Sequence, residues 1–590
     1  MLTLMISPAF AFFYNEFPED TAPAADTKFE MFGPRCDRML IKLYSTQEGE
    51  WDALKATPQE LDVTDWPLAK AYYDQFMADP LNAKVNVESV GGEFGIRCLD
   101  MNQNPNRYLG IPAVAANGVN PVKNLDNADP KDDNNPTSDL NFRKAVLSCI
   151  DRTYYVANII GAGFAVEHWS MLPPATGTQY YQESFKIYPF SKTNAEAFLA
   201  AGKFKMNAAT NFRYWDLNDN GVEDPSEYVE LKFVIRSDDT LRNKAGDHIA
   251  DALNAAGVRV NRMYRDISGA RTEWMDAKGV HMYTAGWSLG IEPDSIVLWM
   301  GDAGLPHNPD GTCDYSYYWH PGRCYNTAYA NDEQFNVAAR KVEVANSEAE
   351  AVDNMQICNT RAAAAAINGP MWVFSSTMAN ARKYVGGTTD EAAYVGQYWD
   401  GMVCVTGYGT DSFFGFLNMH PRGFERPEFG TIRYGFKTTD IRSFNNIYAE
   451  WVWDNNVLDL TYDSLVASNP YALTTRYGWM CKNYTVGSYT HPTLGPCTKV
   501  TFKLRDDIYW SDGTPISLKD VYFTLFEISK LLRAKGYANP WWYSAVKSIL
   551  SFSQIDPDSF EVLIDVKSIW AFGLTGAGVR IMPEHIWRPI

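Results

Sequence analysis

Residues 216–227 carry oxygen-bearing side chains at the spacing of a calcium-binding loop. Asp216, Asn218 and Asn220 alternate along the chain, and Gly221 stands at position six. Calcium takes several oxygen ligands from a tightly curved chain, and a glycine at position six permits the curve. The pattern therefore predicts a Ca²⁺ site, the one cofactor that the sequence suggests, with the ligands Asp216, Asn218, Asn220, Val222, Asp224 and Glu227.

The flanks of this loop also fit a second interpretation. Position eight is Glu223, where a helix-loop-helix calcium site prefers an aliphatic residue, and the residues that follow alternate as in a strand. A solvated acidic turn that binds no metal is the alternative to the calcium site.

The nine cysteines include two pairs that are close in sequence and no CxxC motif. Cys313 with Cys324, and Cys481 with Cys497, would each close a short, turn-rich loop, as disulfides do outside the cytosol. Unpaired buried thiols are the alternative, because nine is odd and pairing cannot be deduced from spacing. Asn483 begins an Asn-Tyr-Thr sequence, an N-glycosylation pattern that is compatible with export.

Composition limits the partners and the reaction classes. The 590 residues exceed one compact core, and the formal net charge of -19 disfavours nucleic acid and anionic lipid. Residues 1–29 begin with a short apolar stretch and small residues at Ala9 and Ala11, which resembles the end of a signal peptide, so we expect an extracellular or cell-surface location. The eight histidines are scattered, with no HExxH, Gly-x-Ser-x-Gly or P-loop motif, and we expect no enzyme. The many acidic residues leave paired glycosidase carboxylates as an open alternative.

Hydrophobic periodicity predicts an α/β organisation. Alternation over 229–235 predicts a strand, spacing over 245–253 predicts a helix that ends at Gly257, and 258–260 opens a second strand. Such a βαβ unit favours a parallel sheet. Helices are also predicted over 142–151 and over 331–367, and strands over 371–374, 500–504 and 560–566, while the Asn/Asp/Pro-rich residues 111–139 are predicted to form a long surface loop.

The segment from Thr501 to Thr524 (TFKLRDDIYWSDGTPISLKDVYFT) resembles the signature of the family 5 extracellular solute-binding proteins. These are the dipeptide-, oligopeptide- and nickel-binding proteins of ABC importers. Read on its own, the segment is a strand, a Ser511–Gly513 turn, and a helix capped by Ser517 with Asp520 three residues later.

Other segments resemble the same family, but in a rotated order. Tyr462–Leu465 and Met582–Ile586 are similar to family segments that lie near the Thr501 block, whereas Phe142–Arg152, Lys192–Phe204 and Gly286-Trp287 are similar to later family segments. The rotation predicts either a circular permutant that forms one fold, which we favour, or a piece of a tandem array.

The resemblance implies a two-lobed type II periplasmic-binding-protein fold with an extra subdomain, built from mixed sheets flanked by helices. The first lobe would begin in 30–140, the second α/β lobe and the return to the first would occupy 141–440, and 441–590 would complete the first lobe and the subdomain. The implied function is delivery of a peptide-like ligand to the membrane permease of an ABC importer.

The same resemblance places the ligand cleft at the Gly286-Trp287 strand end, where Trp287 and Tyr283 are candidates to contact the ligand. Peptide binders of the family carry an Asp shortly after this Trp, and here small or apolar residues replace it. Glu292 or Asp294 could substitute. An oligosaccharide-binding protein, or a surface-layer protein derived from the fold, are therefore the alternatives.

Overall fold

The computed structural model describes residues 29, 31, 33–78, 80–103, 113–114, 121–122, 134–276, 279–289, 291–293, 332–382, 398–405, 407, 409–423, 430–449, 451–537 and 539–589. Within those ranges no helix is both long enough and apolar enough to cross a bilayer.

The strands lie on both sides of the sequence midpoint. Their bounds are β1 (Arg38–Leu43), β2 (Val85–Ser89), β3 (Gly95–Met101), β4 (Ala113–Val114), β5 (Pro121–Val122), β6 (Ala165–Glu167), β7 (Phe204–Asn207), β8 (Phe212–Trp215), β9 (Glu230–Arg236), β10 (Arg259–Arg265), β11 (Met282–Ser288), β12 (Asn368–Phe374), β13 (Thr377–Ala381), β14 (Trp399–Asp400), β15 (His420–Pro421), β16 (Thr431–Phe436), β17 (Val466–Asn469), β18 (Ala472–Gly478), β19 (Cys481–His491), β20 (Gly495–Leu504), β21 (Ile549–Gln554) and β22 (Ser559–Ile564).

The α-helices are mostly short, and several begin at a side-chain cap. Their bounds are α1 (Gln47–Lys55), α2 (Lys70–Phe76), α3 (Leu140–Leu147), α4 (Arg152–Tyr154), α5 (Lys192–Ala201), α6 (Thr240–Ala255), α7 (Ile267–Arg271), α8 (Glu333–Glu343), α9 (Glu348–Ala364), α10 (Phe413–Asn418), α11 (Val452–Leu458), α12 (Leu518–Tyr522), α13 (Ile528–Ala534) and α14 (Glu584–Trp587).

A six-stranded mixed sheet with the order β10-β9-β11-β3-β12-β6 forms the largest unit. β9 and β10 are parallel, with Glu230 opposite Arg259, and α6 connects them. This confirms the predicted βαβ unit. β3 runs antiparallel to both of its neighbours, and all its residues are buried, as expected for the centre of a sheet with both faces covered.

The helices bury their apolar faces against this sheet. Val146 of α3, Leu253 of α6 and Met355 of α9 share one hydrophobic cluster with Leu99 and Phe233 of the sheet, each 0–1% exposed. Burying one such side chain stabilises a fold by about 1.5–3 kcal/mol. The predicted helical region 331–367 is two helices, α8 and α9, with a break at 344–347.

A second sheet is the parallel pair β1 and β16, in which Arg38 lies opposite Thr431. Helix α1 lies near this pair and begins at Thr46, whose hydroxyl accepts a hydrogen bond from the Gly49 amide at 3.1 Å. Leu61, six residues after the end of α1, is fully buried, as are the β16 residues Tyr434 and Phe436.

The C-terminal part contains a four-stranded antiparallel sheet, β19-β20-β22-β21. The predicted strands over 500–504 and 560–566 both form, and they pair with Val500 opposite Val562 and Phe502 opposite Phe560. Ser517 and Asp520 form the predicted capping box. Strand β20 ends at Leu504 rather than at Trp510.

The C-terminal sheet shares a hydrophobic cluster with residues from before position 440. Phe414 and Leu417 of α10 lie in the same cluster as Phe502 and Val521. In the described ranges, no strand of 441–590 pairs with a strand of 30–440. The shared core is what one combined fold requires, and the permuted order stays a prediction.

The predicted disulfide between Cys481 and Cys497 is wrong, because both cysteines are free and buried. Residues 481–504 form an antiparallel hairpin whose turn follows His491, so Cys481 lies opposite Leu504 and Cys497 opposite Tyr489. Seven residues along a strand separate two atoms by about 23 Å, whereas bridged cysteines need Cα atoms within about 7 Å. Cys313 and Cys324 lie outside the described residues.

The predicted α/β class, with mixed sheets flanked by helices, is confirmed. Most of the predicted 111–139 loop, and residues 1–28, lie outside the described residues. The part of that loop that is described includes the short antiparallel pair β4 and β5, which the sequence did not predict.

Candidate ligand-binding site

Three strands of the large sheet end at one edge. β9 is parallel to β11, and β11 and β12 are both antiparallel to β3, so their carboxyl ends, Arg236, Ser288 and Phe374, point the same way. In open α/β sheets, ligands bind in the crevice outside the carboxyl ends of the strands. This edge is therefore the candidate site, and the predicted Trp287 belongs to it.

Trp287 is half-buried near the end of β11, opposite Ile96 of β3. Its indole Nε1 donates a hydrogen bond to Asp100 Oδ2 at 3.0 Å, which fixes the orientation of the ring. Tyr283 lies four residues earlier on the same strand and is only 8% exposed. Its hydroxyl accepts a hydrogen bond from Arg236 Nη1 at 3.3 Å, so Tyr283 connects β11 to the carboxyl end of β9.

Glu292 follows β11 and forms an ion pair with Arg476 of β18, with 2.5 Å between Oε1 and Nη2. Both side chains are about one quarter exposed (25% and 24%), and the Arg476 guanidinium lies 5.3 Å from the ring centre of Phe572. Glu292 therefore connects the edge of the large sheet to the C-terminal part of the chain. Asp294 lies outside the described residues.

A buried charge network at this edge was not predicted from the sequence. Asp238, just after β9, accepts two hydrogen bonds from Arg236, each 2.6 Å long. Lys437, just after β16, donates to the same carboxylate at 3.2 Å and is 0% exposed. The carboxyl ends of the large sheet and of the β1–β16 pair are thus joined by one ion pair.

Burial and charge act in opposite directions on these groups. Burial raises the pKa of Asp238, but the hydrogen bonds and charge of Arg236 outweigh it and lower that pKa to about 2. Burial also lowers the pKa of Lys437 to about 8, and the nearby Arg236 adds to this effect. Next to them, Asp239 caps α6 and pairs with Arg242 at 2.7 Å. Asp238-Asp239 directly after a predicted strand was the available sequence signal.

Trp66 lies between cations at the same place. The guanidinium of Arg97 is 5.4 Å from its ring centre, and Lys437 Nζ is 4.7 Å from it. Arg97 also pairs with Glu93 at 3.2 Å and is 8% exposed in its side chain. Cations at this distance from an indole are attracted by the ring quadrupole. Trp66 therefore helps to hold these two positive charges at the edge.

The carboxyl groups of Glu50, Asp65 and Asp411 interact with one another, and Asp65 directly precedes Trp66. Glu50 of α1 is 0% exposed, and its Oε1 accepts a hydrogen bond from the Asp65 amide at 2.8 Å. The Asp65 carboxylate accepts from Trp453 Nε1 at 2.6 Å and from the Lys437 amide at 3.2 Å. Burial raises the pKa of Glu50 and that of Asp411 well above their ordinary values, and the Asp65 charge adds to both shifts.

The predicted calcium loop is curled but internally bonded. Asp216 is 0% exposed, forms an ion pair with Lys205, and accepts from the Gly221 amide at 3.3 Å. The hydrogen bond from Lys205 lowers the pKa of Asp216. Glu227 Oε1 accepts from the Leu217 amide at 2.8 Å. Asn218 Nδ2 donates to Asp224 at 2.7 Å, and the Val222 amide donates to Asn220 at 2.7 Å.

In the part of the chain that the structure describes, no group of three or more His, Cys, Asp or Glu side chains is arranged to hold a metal ion. The loop instead places the ammonium of Lys205 on the first predicted ligand, Asp216. Calcium at this loop stays a prediction, and it would have to displace that ammonium.

If calcium binds this loop, EDTA will lower the melting temperature, and Asp216→Asn will remove that response. Lys205→Gln should increase the calcium effect, because it removes the competing ammonium. The measurement is a thermal melt of each variant with calcium and with EDTA. Equal melting temperatures with and without EDTA, in the wild type and in Lys205→Gln, would exclude the site.

Asn483 is exposed on β19, as a glycosylation acceptor must be, and its modification stays a prediction.

Comparisons with known proteins give one family. Residues 37–305 match the family described as bacterial extracellular solute-binding proteins, family 5 Middle. One curated relative, an uncharacterized protein y4wM of Sinorhizobium fredii, is 22% identical over 131 residues, which is 22% of this chain and 18% of that protein.

Similar solved structures include NikZ from Campylobacter jejuni in complex with Ni(L-His), at 14% identity and a TM-score of 0.42 over 57% of this chain and 55% of that one. The oligopeptide-binding protein AppA from Bacillus subtilis, in complex with a nonapeptide, has 11% identity and a TM-score of 0.42 over 59% and 56%. Lactococcal OppA with an endogenous peptide has 15% identity and a TM-score of 0.42 over 59% and 56%. The chain thus spans little more than half of each of these proteins.

The family resemblance drawn from the sequence is confirmed over residues 37–305, which match that family, and the Thr501–Thr524 block lies outside the matched residues. That family consists of binding proteins. Strands β3, β9 and β11, which form the edge with Trp287, all lie inside the matched segment.

Proposed function

We propose that this chain is an extracellular solute-binding protein that captures a peptide-like ligand and delivers it to the permease of an ABC importer. One observation supports this most: within the family 5 segment, the carboxyl ends of β9 and β11 meet at a half-buried Trp287. The two-lobed type II arrangement and the extracellular location are parts of the same proposal.

The chemistry of the edge favours a ligand with amide and charged groups. Asp100 contacts Trp287, and Arg97, which lies opposite Gly286 and pairs with Glu93, adds a positive charge near the end of the same strand pair. Trp287 offers an aromatic face that is half-exposed and held in place by its hydrogen bond to Asp100. Ligand sites typically combine such an apolar surface with a few fixed polar groups.

Trp287→Ala is expected to weaken ligand binding about 10- to 100-fold, the range of a central aromatic contact. The ligand is found first by thermal shift with a pool of two- to six-residue peptides and, separately, with oligosaccharides. Bound ligand raises the melting temperature by mass action. Its dissociation constant is then measured for the wild type, Trp287→Ala and Trp287→Phe.

Trp215 provides the matched control, because it is also half-buried but stacks on Phe204 in the β7–β8 hairpin. Trp215→Ala should leave the dissociation constant unchanged. A shift with oligosaccharides alone would favour the sugar-binding alternative over a peptide ligand. No shift with either pool, or a Trp287→Ala variant that is folded and binds normally, would refute the proposal.

A further inference from the structure

A buried guanidinium lies beside the edge strand β6. Arg152 begins α4 and is 1% exposed. Its Nε donates to the Pro370 carbonyl at 2.6 Å and to the His168 carbonyl at 3.1 Å. Its Nη1 and Nη2 atoms are buried and have no hydrogen-bond partner among the described residues. A buried charge that lacks partners is strongly unfavourable, so these atoms require an explanation.

Arg143 shows how the same fold satisfies a buried guanidinium without a carboxylate. It lies on α3, is 8% exposed, and directs its Nη1 to the carbonyls of Thr137 and Ser138, both at 2.9 Å. Its Nε and Nη2 donate to the Ala365 carbonyl, at 3.3 and 2.9 Å. Carbonyl groups could have served Arg152 in this way, but they reach only its Nε.

Other buried polar atoms without partners occur close to Arg152 in sequence and on β12, the strand whose Pro370 carbonyl it binds. The hydroxyl of Tyr155, one turn further along the chain, and the indole Nε1 of Trp372 are both buried and unpartnered. Both ring nitrogens of His168 are also unpartnered, at 0% exposure. The ring centres of Tyr155 and Trp372 lie 6.1 Å apart, and Trp372 pairs with Glu167, next to His168.

The nearby carboxylate of Glu167 is already engaged. Its Oε1 accepts from Thr153 Oγ1 at 2.7 Å, and its Oε2 accepts from Trp169 Nε1 at 3.1 Å. Among the described residues Glu167 acts on Arg152 through its charge without forming an ion pair with it. The ring of Trp169 covers one face of the guanidinium, with 4.1 Å between the guanidinium carbon and the ring centre.

The side chains without a hydrogen-bond partner differ in whether they can donate or accept a hydrogen bond. A guanidinium and an indole are hydrogen-bond donors only, and a phenol can donate as well. A buried water has to find acceptors for its own protons, whereas an anion needs only donors. Burial lowers the pKa of His168 to about 3, so the imidazole is neutral at pH 7 and has one donor and one acceptor nitrogen. An anion would therefore be bound by Arg152, Tyr155 and Trp372, which can all donate, and Arg152 supplies the positive charge.

We propose that Arg152, Tyr155 and Trp372 form an internal site for a small monovalent anion of chloride size. The anion would accept hydrogen bonds from both Nη atoms of Arg152, from the Tyr155 hydroxyl and from the Trp372 indole. It would neutralise the buried charge at the junction of α4, β6 and β12. Trp372 lies two residues before the carboxyl end of β12, but the inference does not depend on the proposed function.

The test compares chloride with gluconate, an anion too large for an internal site, at equal ionic strength. Sodium chloride should raise the melting temperature saturably, by about 2–4 °C over sodium gluconate. Arg152→Gln should abolish this difference, whereas Arg143→Gln should preserve it, because Arg143 is satisfied by carbonyls. Equal melting temperatures of the wild type in chloride and gluconate overturn the proposal.

Bromide gives a readout that does not require the variant to fold. Crystals of the wild type grown in sodium bromide should show an anomalous scattering peak beside the Nη atoms of Arg152. An ordered water at that position, or no peak there, contradicts the anion site.

Discussion

Replacing Asp238 by Asn is expected to lower the free energy of unfolding by about 3–5 kcal/mol, the cost of removing one partner from a buried ion pair. Arg236 and Lys437, 1% and 0% exposed in their side chains, would both keep their charge and lose the carboxylate. Lys437→Met should cost less, because Asp238 keeps its two hydrogen bonds from Arg236. The measurement is urea unfolding at pH 7.

Lys70 and Asp74 provide the control, because they form an ion pair of similar length, 2.6 Å, with side chains that are 46% and 56% exposed. Asp74→Asn should change stability by less than about 1 kcal/mol. The Asp238→Asn, Lys437→Met double variant measures the coupling between the two sheets. If Asp238→Asn costs no more than Asp74→Asn, the network does not hold the two sheets together.

Glu50→Gln is expected to stabilise the protein at pH 7–8 and to have little effect near pH 4. Burial and the neighbouring Asp65 raise the pKa of Glu50 in the folded protein. A raised carboxyl pKa contributes stability below the unfolded pKa, about 4.3, and that contribution is lost as the pH rises towards the folded pKa. Gln keeps the shape of the side chain without that loss.

The measurement is the free energy of unfolding at intervals from pH 4 to pH 8. While only the folded state holds the Glu50 proton, stability should fall by about 1.4 kcal/mol per pH unit from this group, and the fall should be smaller in Glu50→Gln. Glu48→Gln, two residues earlier on α1, is the control and should leave the slope as in the wild type. Parallel curves for the wild type and Glu50→Gln would show that Glu50 does not carry a raised pKa.

The parts of the fold that follow local rules were predictable. The β9–α6–β10 unit follows from alternation, helical spacing and the Gly257 stop, and the Ser517 cap follows from two residues three positions apart. The predicted Cys481–Cys497 bridge is wrong because the register of the β19–β20 hairpin keeps the two cysteines apart. The turn after His491 is offset from the midpoint of the two cysteines, and spacing alone does not reveal that offset.

The candidate site was predictable only where one segment carried it. Trp287 was proposed from the resemblance of its own short segment to the family, but Lys437 reaches Asp238 across 199 positions of sequence, a contact that no local pattern encodes. From sequence alone, charged residues are predicted to lie on the surface, because burying a charge is unfavourable unless partners are supplied. Here the partners come from two different sheets, so only the folded structure shows them.

The pairing of β1 with β16 has a consequence for synthesis. Arg38 and its partner Thr431 are 393 residues apart. At a translation rate of 5–20 residues per second, β1 leaves the ribosome about 20–80 s before its partner strand exists. Throughout that time the strand exposes an unpaired backbone edge, which other chains can pair with. Nascent chains of this protein should therefore engage a chaperone at β1, and release from it should coincide with the emergence of β16.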